Sequence, residues 1–211
     1  MRLIAHRGYS HRYGDNNMIS FREAFNNGFD MIELDIQLCA SEEVVIYHDI
    51  YIDNKYIRNI NYQDLKKHNI LLLEEFFKEF HNKNILIYLD IKGKQDVSLP
   101  LIKLIKKWYS NKYEYIYVSG FNRKFINEFV SSGLPVHLGF TTENNFHNEH
   151  LEILTKHCSF ACLHWTVLDH NTIQFLQNKN IEVFSYTCKE RFIQEHMKKF
   201  KLDGIVSNYP I

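Results

Sequence analysis

The chain has 211 residues, of which 45% are hydrophobic and 24% are charged. These fractions are ordinary for a soluble globular protein, and the length fits one large domain that needs no disulfide or structural metal to fold. The 25 basic and 25 acidic residues balance, which argues against nucleic acid as the main partner, because phosphate-backbone binding requires a surplus of Lys and Arg. We therefore expect residues 1–211 to form a single domain.

Neither membrane insertion nor secretion is expected. No apolar run has the length needed to span a bilayer. Met1 and Arg2 run directly into an apolar segment that we predict to be the first strand, which leaves no room for a secretory leader. The four cysteines form no CxxC pair, which favours reduced thiols. These features predict a cytoplasmic protein, whereas they do not indicate its oligomeric state.

Short apolar runs alternate with amphipathic segments along the chain. The predicted strands are, in chain order, residues 3–5, 31–38, 44–47, 85–91, 115–118, 136–140, 160–163, 182–186 and 204–206. The predicted helices are residues 19–26, 72–81, 99–108, 123–131 and 171–178. Such alternation predicts a parallel sheet covered by helices.

Two architectures share this alternation. An open doubly wound sheet usually has a Gly-rich phosphate loop after its first strand, whereas this turn is His6-Arg7-Gly8-Tyr9. A closed barrel instead has polar groups at the ends of several strands, as this chain does. We therefore predict an α/β fold of the TIM (β/α)8 barrel type. A hairpin over residues 38–44, extending above the barrel, would account for the ninth run.

Charged side chains lie in or directly after four successive predicted strands. They are His6 and Arg7, Glu33 and Asp35, His48 and Asp49, and Asp90 and Lys92. Residues i and i+2 of a strand face the same side, so Glu33 and Asp35 point together. Two such carboxylates between apolar neighbours need a cation or a proton. With Asp90 they form a hard-oxygen site suited to Mg²⁺ or Ca²⁺.

The other polar groups of this set suit phosphate chemistry. His6 and His48 can serve as general base and general acid near neutral pH. Arg7 and Lys92 supply positive charge for an anionic substrate. The combination predicts an enzyme that cleaves a small-molecule phosphodiester with the help of a metal ion.

These motifs resemble the glycerophosphodiester phosphodiesterase family, whose TIM barrels are related to phosphatidylinositol phospholipase C and sphingomyelinase D. The similar segments are residues 5–8, 15–21, 28–38, 44–49, 73–75, 90–92, 118–122 and 202–210. The series HRG, ExD and HD is specific, and the later segments support it. The resemblance covers nearly the whole chain in order.

The resemblance implies a hydrolase of lipid and glycerol metabolism that converts glycerophosphodiesters to glycerol 3-phosphate and an alcohol. It assigns the metal to Glu33, Asp35 and Asp90, and acid/base catalysis to His6 and His48. In the family mechanism, a glycerol hydroxyl attacks phosphorus while one histidine takes its proton. The other histidine protonates the leaving alkoxide, and water then opens the cyclic phosphate.

The chain departs from the family pattern at four places. It has Gly14-Asp15-Asn16 for Pro-Glu-Asn, Asp90 for Glu, Tyr186 for Trp and Asn208 for Asp. None of these changes removes a catalytic group. We expect Tyr186 to contact the substrate together with Arg7 and Lys92.

Two alternative functions use the same fold. The first is a phospholipase D-like enzyme acting on lysophospholipids or sphingolipids, because related sphingomyelinases D often have Asp at the position of Asp90. The second is a non-catalytic barrel used as a binding module, although such a module has no chemical reason to keep both histidines and all three acids.

Residues 50–57 are expected to form a hairpin above the site. Asp53-Asn54 suits its turn, and Tyr51 and Tyr56 would offer an aromatic wall to a choline-like head group. No amphipathic helix combines an aromatic face with a basic one. We therefore expect water-soluble, deacylated substrates rather than membrane lipids.

Overall fold

The computed structural model describes residues 1–93 and 95–210. Its strands are β1 (Arg2–Ala5), β2 (Met31–Leu38), β3 (Val44–Ile46), β4 (Tyr51–Ile52), β5 (Lys55–Tyr56), β6 (Leu71–Leu72), β7 (Leu86–Ile91), β8 (Ile116–Gly120), β9 (His137–Thr142), β10 (Phe160–His164), β11 (Glu182–Cys188) and β12 (Gly204–Ser207).

The α-helices are α1 (Ser10–Tyr13), α2 (Met18–Asn26), α3 (Tyr62–Leu65), α4 (Leu73–Phe80), α5 (Ser98–Trp108), α6 (Phe125–Ser132), α7 (Asn148–Leu154), α8 (His170–Asn178) and α9 (Arg191–Met197). Short 3-10 helices are found at Ile57–Asn59, Lys66–His68, Gln95–Val97, Tyr113–Tyr115 and Trp165–Val167.

Eight parallel strands close into a ring. Their order is β1, β12, β11, β10, β9, β8, β7 and β2, and β1 also pairs with β2. Helices lie between successive strands of the ring along the chain. The predicted TIM barrel is therefore confirmed.

One of the nine predicted strands, residues 44–47, lies outside the ring as β3, as the hairpin prediction requires. β2 is eight residues long and extends past the barrel rim. β3 turns back antiparallel to it, with Ile46 opposite Ile36, and β6 pairs with β3 in turn. The amide of Tyr47 then donates to the carbonyl of Asp35 at 3.0 Å. The chain thus returns to the level of Asp35 before residue 48.

The two faces of each barrel strand pack against different parts of the protein. On β7, Ile87, Leu89 and Ile91 pack outward against the helices, whereas Tyr88 packs into the barrel interior. Asp90 is the next inward residue above Tyr88, because side chains alternate along a strand. Both faces are buried, which explains the nearly continuous apolar runs of the sequence.

The predicted hairpin is present as β4 and β5, which pair antiparallel. Asp53 and Asn54 have φ angles of 49° and 60°. Two consecutive left-handed residues are typical of a type I′ turn, which matches the twist of a hairpin. Tyr51 and Tyr56 are 57% and 60% exposed.

The five predicted helices are found as α2, α4, α5, α6 and α8, with ends shifted by one or two residues. Helices α7 and α9 were not predicted, because seven residues give too few apolar positions for a clear helical period. The strand predicted from residue 115 begins at Ile116, since Tyr113–Tyr115 form a 3-10 turn. Within residues 1–93 and 95–210, no helix is long and apolar enough to cross a membrane.

Candidate active site

A cavity of about 240 Å³ opens at the C-terminal ends of the barrel strands. Its walls are formed by His6, Arg7, Glu33, Asp35, His48, Tyr88, Asp90, Lys92, Phe121, Thr141, Glu143, Cys162, Tyr186, Thr187, Lys189 and Val206. All eight residues that the sequence indicated as site residues line this one cavity. Catalytic sites of TIM barrels lie at this end of the barrel.

Glu33, Asp35 and Asp90 form a buried carboxylate cluster. Each offers an oxygen within 4.8 Å of the others, and Asp35 and Asp90 are direct partners across β2 and β7. Burial raises the pKa of Glu33 well above its usual value, and the charges of Asp35 and Asp90 raise it further. Burial also raises the pKa of Asp90, although Lys92 opposes this.

Asp35 differs from its two neighbours because it pairs with two cations, Lys92 and Arg7. Burial tends to raise its pKa, but Lys92, Arg7 and a hydrogen bond from Asn16 outweigh burial and hold the pKa below its usual value. Lys92 Nζ lies 2.5 Å from Asp90 Oδ2 and 3.2 Å from Asp35 Oδ1. Arg7 Nε lies 3.0 Å from Asp35 Oδ2. Asp35 is therefore held as a carboxylate.

The cluster is chemically suited to a divalent cation. Among the residues that the structure describes, the three carboxylates face two fixed cations, so one further positive charge is needed to keep all three ionised. Asp90 Oδ1 is buried and has no hydrogen-bond partner in the described part of the chain. An unpaired buried carboxylate oxygen is costly unless a cation or donor reaches it. Glu33, Asp35 and Asp90 could therefore hold a hard divalent ion.

The turn after β1 brings Arg7 against this cluster. Arg7 and Gly8 have φ angles of 57° and 81°. A side chain on Gly8 would come within 2.5 Å of Ser20 Oγ, so only glycine fits there. The turn directs the Arg7 amide to Glu33 Oε2 at 2.8 Å. Its guanidinium also donates to Asp15 at 2.7 Å.

His6 is held in a mostly buried position. Its Nδ1 lies 2.6 Å from the amide oxygen of Asn208, directly after β12. Burial lowers the pKa of His6 to about 4, and the charge of Arg7 acts in the same direction. The ring is thus neutral at pH 7. If Nδ1 carries the proton that Asn208 accepts, Nε2 is left with a free lone pair.

His48 has a different environment and reaches the cavity by another route. Its side chain is 42% exposed, and its Nδ1 lies 2.8 Å from Asp49 Oδ1. His48 follows one of the predicted strands, but not a strand of the ring. It follows β3, which runs antiparallel to β2 outside the ring, and it reaches the cavity because β3 brings the chain back to the level of Asp35.

Two amide side chains have roles that the sequence did not reveal. Asn16 Nδ2 donates to Asp35 Oδ2 at 2.8 Å, and Asn208 bonds to His6. Both lie in segments that carried the family resemblance, so the motif pointed to them but not to their partners.

Three further cavity residues were missed for one reason. Phe121, Glu143 and Lys189 come directly after β8, β9 and β11. Each of these strands is two residues longer at its end than the sequence indicated, and the extra residues are mainly Ser, Gly, Thr and Cys. Charged or aromatic residues just past each strand were therefore not recognised as rim residues.

The aromatic residues of the cavity differ from those expected. Tyr186 lines the cavity, its hydroxyl is buried without a hydrogen-bond partner among the described residues, and its ring lies 6.3 Å from that of Phe121. The hairpin tyrosines were expected to form this wall. In the described chain, however, the lining aromatic residues are Tyr186, Phe121 and Tyr88, because the hairpin directs Tyr51 and Tyr56 to solvent.

Fold and site together define a TIM-barrel hydrolase of phosphoric diesters, with carboxylates and two histidines in one cavity. The model of the glycerophosphoryl diester phosphodiesterase family matches residues 6–211. The chain belongs to this family.

Similar proteins agree with this assignment. The glycerophosphodiester phosphodiesterase of Caldanaerobacter subterraneus subsp. tengcongensis is 23% identical over 231 residues, covering 99% of this chain and 94% of that protein. The structure of a glycerophosphodiester phosphodiesterase from Parabacteroides distasonis superposes with a TM-score of 0.85 at 22% identity, covering 98% and 92% of the two chains. An Oleispira antarctica phosphodiesterase, solved with its product sn-glycerol-3-phosphate, gives 0.87 at 19% identity, covering 100% and 94%. At such identities the two structures show a shared fold.

Proposed function

We propose that residues 1–211 act as one domain that hydrolyses water-soluble glycerophosphodiesters to glycerol 3-phosphate and an alcohol. One observation carries the proposal: a neutral, mostly buried His6 and a half-exposed His48 share a cavity with three converging carboxylates. The cavity of about 240 Å³ is small, since sites for drug-sized ligands begin at roughly 300 Å³. The product bound to the Oleispira antarctica relative supports the choice of product.

In the first half of the reaction, His6 acts as the base. Its neutral Nε2 accepts the proton of the glycerol hydroxyl next to the phosphoryl group, while Asn208 holds Nδ1. The hydroxyl oxygen bonds to phosphorus, and protonated His48 gives its proton to the leaving alkoxide. The alcohol departs and leaves a cyclic phosphate.

The second half uses the same two groups in reverse. His48, now neutral, takes a proton from water, whose oxygen bonds to phosphorus. The bond between phosphorus and the oxygen that attacked in the first half breaks, and His6 returns its proton to that oxygen. The product is glycerol 3-phosphate, and both histidines regain their starting protonation.

Charge on the phosphoryl oxygens is balanced from one side of the cavity. Arg7 and Lys92 are fixed beside Asp35 and Asp90, so their positive charge is in place before the substrate arrives. When bound, a divalent ion held by the three carboxylates supplies Lewis-acid stabilisation of the phosphoryl oxygens. The all-oxygen donor set supports Mg²⁺ or Ca²⁺.

The four cysteines are free. We also propose that the protein works in the cytoplasm, because this compartment is reducing and unpaired cysteines are typical of proteins in it.

The test is the release of glycerol 3-phosphate by chelator-treated protein to which Mg²⁺, Ca²⁺ or EDTA is added. Glycerophosphocholine, glycerophosphoethanolamine and lysophosphatidylcholine are compared under identical conditions, with Glu33→Gln as the inactive control. We expect metal-dependent turnover of the two soluble diesters. A clear preference for the lysolipid would instead establish a lysophospholipase D-like enzyme, and no turnover of any diester would leave a binding module.

A further inference from the structure

Strand register arranges the far rim of the cavity into one continuous arc. Ser207 of β12 pairs with both Ala5 and Cys188, so the residues that follow them, His6, Asn208 and Lys189, are neighbours at the rim. The amide of Asn208 donates to the carbonyl of Cys188 at 3.1 Å, which confirms this contact.

The arc continues across β11 and β10 to β9. His164 pairs with Tyr186, and Leu163 pairs with Thr142, so Glu143 follows beside His164. Burial lowers the pKa of His164, Glu143 opposes this shift and Lys189 adds to it. Both charged groups therefore act on the same part of the rim.

Glu143 and Lys189 are the charged cavity residues that remain available. Both are exposed, and neither makes an ion pair with any described residue, whereas Arg7 and Lys92 are already paired with carboxylates. Together they offer one strong acceptor and one strong donor to a molecule in the cavity.

The proposed reaction indicates which part of the substrate faces this arc. The alcohol leaves first and takes its proton from His48, which lies on the open side beside β3. The alcohol is therefore placed on that side. The attacking glycerol hydroxyl faces His6, so the rest of the glycerol, its terminal carbon and hydroxyl, extends along the arc away from His48.

We propose that Lys189 and Glu143 bind the terminal hydroxyl of the glycerol group, with Lys189 donating a hydrogen bond to its oxygen and Glu143 accepting a hydrogen bond from it. A hydroxyl donates one hydrogen bond and accepts others, so an ammonium and a carboxylate together satisfy it. The pair would select a glycerol diester over a diester of a simpler diol. This proposal rests on the proposed function.

A pair of substrates isolates this hydroxyl. Glycerophosphocholine carries it, whereas 2-hydroxyethyl phosphocholine keeps the attacking hydroxyl and the head group but lacks the terminal CH₂OH. We expect wild type to prefer glycerophosphocholine. Glu143→Ala and Lys189→Ala should each lower kcat/KM for glycerophosphocholine about tenfold or more, the scale of a hydrogen bond to a charged group. The same variants should leave 2-hydroxyethyl phosphocholine nearly unchanged.

Exposed residues of the same types outside the cavity supply matched controls. Glu149→Ala and Lys199→Ala should leave both substrates unchanged. Equal losses on both substrates, or no loss on either, would overturn the proposal. A loss that differs between glycerophosphocholine and glycerophosphoethanolamine would mean that Glu143 and Lys189 contact the head group, which would also overturn the proposal. If wild type cleaves neither diester with metal present, the proposed function itself fails.

Discussion

The two halves of the cavity rim are built differently. On the side of β1, β2 and β7, the three carboxylates are buried, Asp90 is paired with Lys92, and Asp35 is paired with both Lys92 and Arg7. On the side of β8 to β11, Glu143 and Lys189 are exposed and free of ion pairs within the described chain. The first half is fixed before the substrate binds, as acid/base and phosphoryl chemistry require.

This difference suggests that the two halves of the rim have different functions. Buried charges tolerate little change, because removing one leaves its partners unpaired in a poorly solvated place. Exposed rim charges are solvated and can be exchanged at small cost to stability. We therefore expect the half beside β1, β2 and β7, the metal-side half, to set the reaction class, and the far half to set which diester is accepted.

The largest effect is expected when a residue of the metal-side half is changed. Asp35→Ala should lower turnover by several orders of magnitude, because Arg7, Lys92 and any bound cation lose their common carboxylate. The fold should survive, since the residue lies at the barrel rim, and a denaturant melt checks this. Glu149→Ala is the control. Full activity of Asp35→Ala in chelator-treated buffer would disprove the metal assignment.

The next largest losses of activity are expected from changes to the two histidines. His6→Asn and His48→Asn should each lower kcat about a hundredfold or more, the usual scale of acid/base catalysis. The double variant should lose less than the sum of both in free energy, because the two act as a unit. His170→Asn, an exposed histidine outside the cavity, should be silent. Strict additivity would mean that the two rings do not share a mechanism.

A smaller change is expected in the pH profile through Asn208. Because the pKa of His6 is lowered to about 4, its neutral form is lost, and kcat/KM falls, only as the pH drops through that value. Asn208→Asp puts a carboxylate beside Nδ1, which stabilises the imidazolium and should move this acid limb upward by about one unit or more. The profile is measured at saturating metal for both proteins. An unmoved limb would show that another group controls it.

The smallest effect is expected at the hairpin, which neither half of the rim includes. Tyr51→Ser and Tyr56→Ser should leave kcat/KM for glycerophosphocholine within about twofold, because both side chains are exposed outside the cavity and exposed substitutions seldom perturb the fold. Phe121→Ala, which alters the far half, is the comparison and should have the larger effect. A strong loss from either tyrosine variant would place the head group against the hairpin after all.

Much of the metal-side half of the rim can be predicted from local sequence. The spacing of Glu33 and Asp35, and of Asp90 and Lys92, places each pair on one strand face, because the side-chain period of a strand is two. The alternation of apolar runs and helical segments indicates a barrel because it, too, is a local pattern of the sequence. Asp53 and Asn54 likewise specify their turn through two adjacent residues.

Other features depend on pairing between distant segments, which no local pattern encodes. His6 and Asn208 are 202 positions apart and meet only because β1 closes the ring against β12. His48 enters the cavity because β3 reverses beside β2. Glu143 and Lys189 face one cavity because the register of β9 to β12 brings their strand ends to one level. The sequence determined which groups could act and on which strand faces they lie. Ring closure and strand register decided which of them meet.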